Sequence, residues 1–313
     1  KDIIYAGSAD CHLYAISKEG EEIWKFRTGG AVTLEAAISD NNIYFTSFDS
    51  YLYKITTDKD FIWRFRTGNS ILCSPSITDK RGSELWAPFN ASPSEIKAVS
   101  DGMIFFGSFD GNYYALSMDG SLLWRYTTGS PGGGTCSVFD RKIYFGRWDG
   151  YLRCLSLDGY EIWKKKAGEM AFAPRVVDGI VYFGSSDQNL RALSATDGSL
   201  LWKYRANAMI LGTPFVEKDT VYFGCWDGYF YAIRKGELLW KFRTSLDFLS
   251  QIRNVVIEPQ TQRIIVKKPI EEKISYATTT SQGDVKMFHY GPKAPYQIGT
   301  EYAKDTRKKS YRF

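Results

Sequence analysis

The residues able to do chemistry are few and far apart. His12 and His289 are the only histidines, and a zinc site needs three or four converging nitrogen, sulfur or carboxylate ligands. They read as unrelated surface or packing residues, although closing the chain on itself would bring them near each other. Cys11, Cys73, Cys136, Cys154 and Cys225 are odd in number and include no CxxC pair. They read as small core residues of a reducing compartment rather than as a disulfide framework. No GxSxG nucleophile elbow and no GxxxxGK-Ser/Thr phosphate loop occurs. The run GSPGGG at 129–134 lacks the lysine and the following helix of a phosphate loop and reads as a flexible connection. No catalytic residue, metal ligand or cofactor is expected.

What the sequence offers instead is recognition. Phe48, Tyr51, Phe109, Trp148, Tyr151, Trp226 and Tyr229 flank a set of Asp-containing turns. Aromatic rings gathered on one face can stack on sugars or grip a peptide. The other reading is that the residue ahead of each Asp packs on the neighbouring repeat. A second constellation is cationic. Lys25 and Arg27 alternate with Trp24 and Phe26, and the arrangement recurs at Arg64/Arg66, Arg125/Thr127, Lys164/Lys166, Lys203/Arg205 and Lys241/Arg243, so eleven of twelve outward positions are basic. Such a belt can dock an acidic protein, an anionic glycan, a lipid headgroup layer or nucleic acid. It can equally guard strand edges against aggregation, with the stems lying over apolar surface. Glu21, Glu22, Asp60, Glu161 and Glu237 are close enough in sequence to pair with these cations and dilute the field. The net charge of +5 permits an acidic partner without demanding nucleic acid.

These residues are positioned by a repeat. Six segments share one plan, which opens with an alternating strand such as IYFTSF or VYFGCW and a turn starting at Asp10, Asp49, Asp110, Asp149, Asp187 or Asp227. A second strand (LYAI, LRAL), a turn such as KEG or LDG, and a third strand bearing Trp24, Trp63, Trp124, Trp163, Trp202 or Trp240 complete each unit. Successive tryptophans lie 39, 61, 39, 39 and 38 residues apart, with about 22 residues inserted in the second interval at 79–100. That period belongs to solenoids, propellers and arrays. A short strand fits ahead of each unit, as in AVTLEAAIS and AFAPRVV.

Four antiparallel strands make a meander whose two faces stay wet until copies stack radially as propeller blades, innermost strand first. Asp in the first turn can accept backbone amides two residues on, and a following Gly supplies positive φ. The outer-strand tryptophan offers a large area for docking on the next blade. Period-2 alternation with Gly/Asp turns argues against helices, and the 16% of aromatic residues suits pleated sheet. The expected fold is therefore all-β, one β-propeller domain of seven four-stranded blades, with eight as the alternative. Six repeats occupy 2–245, a degenerate seventh blade 246–290, and a closing strand with a basic tail 291–313. The closing strand supplies the inner strand that the first repeat lacks. The insertion, with Trp86 and Phe89, falls between the first and second strands of the third blade, on the face opposite the aromatic turns. There it can cap the channel, grip a partner or serve as an ordinary loop. No run of eighteen apolar residues exists, so no transmembrane helix is expected.

With its units laid out as Gly, Asp turn, LYAL-like strand, Asp-Gly turn and outer-strand Trp, the chain resembles the PQQ-like (quinoprotein-type) β-propeller repeat family over roughly residues 2–245. WD-repeat propellers need a Gly-His pair in each blade and kelch blades a Gly-Gly pair, and the units here carry neither. Quinoprotein alcohol dehydrogenases of this fold hold PQQ with a calcium ion on Glu, Asn and Asp, beneath a disulfide of adjacent cysteines. This chain has no adjacent cysteines and no recognisable acidic set at the channel. It is similar to the non-enzymatic branch, which includes the propeller subunit of the bacterial outer-membrane barrel-assembly machinery. The resemblance implies a non-catalytic scaffold with a protein partner, as a monomer or as a subunit of a hetero-complex. A PQQ-dependent oxidoreductase and a carbohydrate-binding propeller are the rival readings, and nucleic acid a minor one. The family often carries a basic residue after this Trp, which favours the edge-guarding view of the belt. The thiols point to the cytoplasm, whereas the resemblance allows an extracytoplasmic site if a leader was removed.

Overall fold

The computed structural model describes residues 3–78, 84–86, 102–132, 134–244, 278–279 and 285–286. The chain divides into two compact units, Lys1–Gln251 and Ile252–Phe313. In the second, the described residues form one antiparallel pair, β25 (Thr278–Thr279) with β26 (Val285–Lys286). The degenerate seventh blade and the closing strand otherwise lie outside the described residues, as does His289.

The first unit holds six antiparallel sheets, and there is no helix among the described residues. Sheet 1 has three strands, β1 (Ile3–Gly7), β2 (His12–Ser17) and β3 (Glu22–Arg27). Sheet 2 runs β4 (Ala37–Ser39), β5 (Asn42–Thr46), β6 (Tyr51–Thr56), β7 (Phe61–Arg66). Sheet 3 runs β9 (Glu84–Trp86), β8 (Ser76–Thr78), β10 (Met103–Gly107), β11 (Asn112–Ser117), β12 (Leu122–Thr127). Sheet 4 is β13 (Ser137–Phe139), β14 (Lys142–Gly146), β15 (Tyr151–Ser156), β16 (Glu161–Lys166). Sheet 5 is β17 (Arg175–Val177), β18 (Ile180–Gly184), β19 (Asn189–Ser194), β20 (Leu200–Arg205). Sheet 6 is β21 (Phe215–Glu217), β22 (Thr220–Cys225), β23 (Tyr229–Arg234), β24 (Glu237–Arg243). The strand order of β1 to β8 and β10 to β24 follows the sequence expectation, and among the described residues sheet 1 has no inner strand; sheet 3 departs from the expected four strands, because the insertion contributes a fifth, β9.

Sheets meet at their short inner strands, β8 beside β13, β13 beside β17, and β17 beside β21. Hydroxyls link these neighbours: Ser76 Oγ donates to the Cys136 carbonyl at 3.0 Å, and the Val176 amide donates to Ser137 Oγ at 3.2 Å. The apolar clusters lie between sheets rather than within them. Leu13, Trp24 and Phe26 of sheet 1 pack with Ile43, Phe45 and Tyr53 of sheet 2. Tyr44, Leu52 and Trp63 of sheet 2 pack with Ile104, Phe106 and Tyr114 of sheet 3, and the pattern continues to sheet 6. A sheet alone would leave these side chains wet, so the repeat is stable only as a stack.

The tryptophans make the seams. Trp24, Trp63, Trp124 and Trp163 donate their indole N–H to Thr57, Met118, Leu157 and Ala195 carbonyls of the following sheet, at 3.1, 3.3, 2.6 and 3.1 Å. Each ring lies against the second turn of that sheet. A Cβ on Gly120 would stand 2.9 Å from Trp63, and one on Gly159 2.7 Å from Trp124. Both glycines also have positive φ (+91° and +86°), so they satisfy two demands at once. A register shift in all six hairpins between second and outer strands lets the indole reach the seam. The extra residues are Ile23, Ile62, Leu123, Ile162, Leu201 and Leu239, all exposed.

Candidate functional site

At each Asp turn the carboxylate is spent on structure. Oδ1 of Asp10, Asp49, Asp110, Asp149, Asp187 and Asp227 accepts the amide two residues on, at 3.1, 3.1, 3.0, 3.1, 3.1 and 3.1 Å. Oδ2 takes a second partner from the strand that follows. Tyr14, Tyr53, Tyr114 and Tyr231 donate their hydroxyls at 2.5, 2.6, 2.6 and 2.5 Å, and Arg153 and Arg191 fork onto Asp149 and Asp187. The same oxygen also ties sheet to sheet, since the Gly29 amide donates to Asp49 at 2.7 Å and the Gly68 amide to Asp110 at 2.8 Å. The Tyr14 hydroxyl holds the Asp10 carboxyl below its ordinary value. Burial pushes Asp187 up, but the hydrogen bonds from Arg191 and Asn189 more than offset it and leave it lowered. The residue after each Asp has positive φ, glycine in three turns and Cys11, Ser50 and Gln188 in the others.

The aromatic residues of these turns divide into three groups. Phe48 and Trp226 protrude, 39% and 43% exposed, while their amides are held by the preceding connection through Ala31 and Met209 carbonyls. Phe109 and Trp148 turn to each other across the seam of sheets 3 and 4, edge to face at 5.1 Å, and so follow the packing reading. Tyr51, Tyr151 and Tyr229 leave the turn face altogether. They open the second strands opposite Arg66, Lys166 and Arg243, and their rings lie under the outer-strand cations. Arg64 stands 4.3 Å from the Tyr51 ring centre, Lys164 and Lys166 5.2 and 5.3 Å from Tyr151, and Lys241 4.6 Å from Tyr229. The two groups of the sequence reading are thus partly one.

All the belt residues, Lys25, Arg27, Arg64, Arg66, Arg125, Lys164, Lys166, Lys203, Arg205, Lys241 and Arg243, are exposed on the outer strands. The expected neutralisation is mostly missing. Among the described residues only Lys25 has a carboxylate at ion-pair distance, Glu22 at 3.6 Å. Glu161 instead accepts the Tyr126 hydroxyl. The exposed apolar bulge residue before each tryptophan escaped the sequence reading; two apolar residues in a row on an alternating strand were its signal.

Trp86 falls in β9, which pairs with the inner edge of β8 opposite Ile77 and neighbours β4 and β13. Phe89 and the rest of the insertion lie outside the described residues. The glycine-rich connection is pinned rather than free. Arg147, wholly buried, donates to the carbonyls of Gly132 and Ser130 and to Thr128 Oγ1.

All five cysteines are free, and burial pushes the Cys73 and Cys154 thiols up to about 12 and Cys225 to about 11. Such thiols stay protonated and unreactive at neutral pH. Among the described residues no three His, Cys, Asp or Glu side chains converge as a metal site. His12 is engaged locally, its Nδ1 3.0 Å from the Asp10 carbonyl.

Antiparallel meanders packed face on face, with Asp first turns and outer-strand tryptophans, resemble the blades of PQQ-like β-propellers. The sequence family described as outer membrane protein assembly factor BamB matches residues 148–285. Among solved structures, BamB from Moraxella catarrhalis aligns with a TM-score of 0.60 at 17% identity, over 77% of this chain and 70% of that one. The computationally designed Ika8 protein aligns with a TM-score of 0.64 at 16% identity, over 79% and 73% of the two chains. No curated protein sequence matches the chain.

Proposed function

We propose that the chain is a non-catalytic β-propeller scaffold that binds a partner protein through its loop faces, as a monomer or as one subunit of a hetero-complex. One observation carries this reading: the six turn carboxylates are consumed in structural hydrogen bonds while Phe48 and Trp226 protrude from the same turns. Turns whose carboxylates are already engaged with backbone amides and neighbouring side chains, with exposed rings beside them, suit binding better than catalysis. The likeness to an outer membrane assembly factor is in keeping with this. The proposal includes seven blades, the seventh from residues 246–290 and the closing strand from 291–313.

The test replaces Phe48 and Trp226 singly by a photo-cross-linking phenylalanine analogue in the native host. Capture of the same protein at both positions, and its loss from unlabelled Phe48→Ala/Trp226→Ala chain, is the expected result. Saturable uptake of PQQ with calcium and dye-linked alcohol oxidation would overturn it in favour of an oxidoreductase. Glycan-array binding abolished by Trp148→Ala and Trp226→Ala would overturn it in favour of carbohydrate recognition.

A further inference from the structure

Among the described residues the outer strand of each sheet ends the sheet on its side, and its other backbone edge has no strand partner. On β7 that edge carries Ile62, Arg64 and Arg66 at two-residue steps, and on β16 Ile162, Lys164 and Lys166. Alternation puts the two cations of each strand on one face, the isoleucine is the extra residue of the bulge ahead of them, and all six side chains are exposed. The two cations of a strand share a tyrosine. Arg64 and Arg66 lie 4.3 and 6.0 Å from the Tyr51 ring centre, Lys164 and Lys166 5.2 and 5.3 Å from that of Tyr151. Among the described residues none of the four meets a carboxylate, and the nearby Asp149 is occupied by Arg153. Guarding an edge requires only a charge that spoils strand pairing. It does not require two cations converged on one ring.

We propose that the free edges of β7 and β16 bind an extended acidic segment of a partner protein. Carboxylates two residues apart on that segment face Arg64 and Arg66, or Lys164 and Lys166. The spacing fits, because side chains two apart on any extended strand repeat at about 6.7 Å. An extended peptide also uses the free backbone donors and acceptors of the edge, which a phosphate backbone or a lipid surface does not. This assigns the partner's chemistry and rests on the scaffold reading above. The edge of β24 is left out, because that strand is exposed along its whole length at the end of the described repeats.

The test is fluorescence anisotropy on the full chain with a labelled peptide in which Glu alternates with Val or Leu. Controls are a peptide of the same composition with its glutamates in one block, an alternating peptide interrupted by Pro, a single-stranded DNA, and vesicles containing phosphatidylglycerol. The alternating peptide should bind best and weaken with salt. It should lose about tenfold in affinity in Arg64→Glu/Arg66→Glu or in Lys164→Glu/Lys166→Glu chain. Because these side chains are exposed, the variants should melt with the parent; Gln replacements serve where they do not. Equal binding of the blocked or Pro-bearing peptide, tighter binding of DNA or vesicles, or indifference to charge reversal overturns the proposal. Phe48→Ala/Trp226→Ala should leave the titration unchanged, so a failure at the edge and a failure of the loop-face reading are told apart.

Discussion

Arg147 stands where the other first turns carry Ser8, Ser47, Ser108, Ser185 and Cys225. Burial drives its pKa down to about 10, so the guanidinium is still charged at neutral pH, and among the described residues no carboxylate pairs with it. Five acceptors hold it instead: the carbonyls of Gly132, of Ser130 at 2.8 Å, of Ser108 at 3.1 Å and of Asn112 at 3.4 Å, and Thr128 Oγ1 at 3.3 Å. The sign of its pH dependence follows from the depressed value. The buried charge opposes folding at all pH below about 10, and that opposition is relieved only as the pH rises from there toward the ordinary guanidinium value. Its worth to the fold must therefore come from the carbonyls it satisfies on both sides of the seam. Arg147→Met should strand those oxygens and cost about 3 kcal/mol in urea unfolding. Arg147→Lys should recover little, because one ammonium cannot span a fork of acceptors. A loss below about 1 kcal/mol in Arg147→Met would show that the turn closes as well without the charge.

At the scale of the strand, the tryptophan seam is the unit that repeats. Trp124 combines the 2.6 Å bond to the Leu157 carbonyl, a ring contact at 5.8 Å with Phe105, and the fit over Gly159. Trp124→Ala should lower stability by about 3–5 kcal/mol by opening a cavity between sheets and orphaning a carbonyl, read by chemical denaturation. A cost near 1 kcal/mol would mean that the seams are carried by the inner strands instead. The docking role of these residues, the six Asp turns and the strand order were legible in the sequence, because each follows from one repeat seen many times. The positions that could not be read depend on pairs across a seam. Phe48 and Phe109 occupy the same turn position, yet Phe109 is covered because sheet 4 offers Trp148, and Phe48 protrudes. Tyr51 and Tyr151 join the cations because antiparallel register sets them opposite Arg66 and Lys166. Glu161 is taken by the Tyr126 hydroxyl of sheet 3 and not by the lysines on its own strand. Periodicity reveals a position; only the neighbouring sheet decides its exposure.

At the scale of the molecule, the first and sixth sheets are the informative ones, because each repeats a seam with half of it missing. Trp240 is 41% exposed, whereas Trp163 at the equivalent place is 8% exposed. Gly20 has open space where Gly120, Gly159 and Gly198 each receive an indole. Among the described residues sheet 1 also has no counterpart of the inner strand that sheets 2 to 6 possess. A stack whose stability comes from interfaces leaves no reason for Trp240 to be kept unless something covers it. The proposed seventh blade makes a measurable demand on the intact chain. Trp240→Ala should then cost as much as Trp124→Ala, about 3 kcal/mol or more, and the indole fluorescence it removes should be fluorescence that acrylamide does not quench. Gly20→Ala offers the same comparison from the other side. An αL glycine replaced by alanine pays strain of about 1 kcal/mol wherever it sits, and Gly120→Ala adds a clash with Trp63 at 2.9 Å. Equal losses at 20 and 120 indicate a covered first sheet. A loss at 20 limited to the strain, together with a tolerated Trp240→Ala, would leave both faces open to solvent and remove the case for closure by residues 246–313.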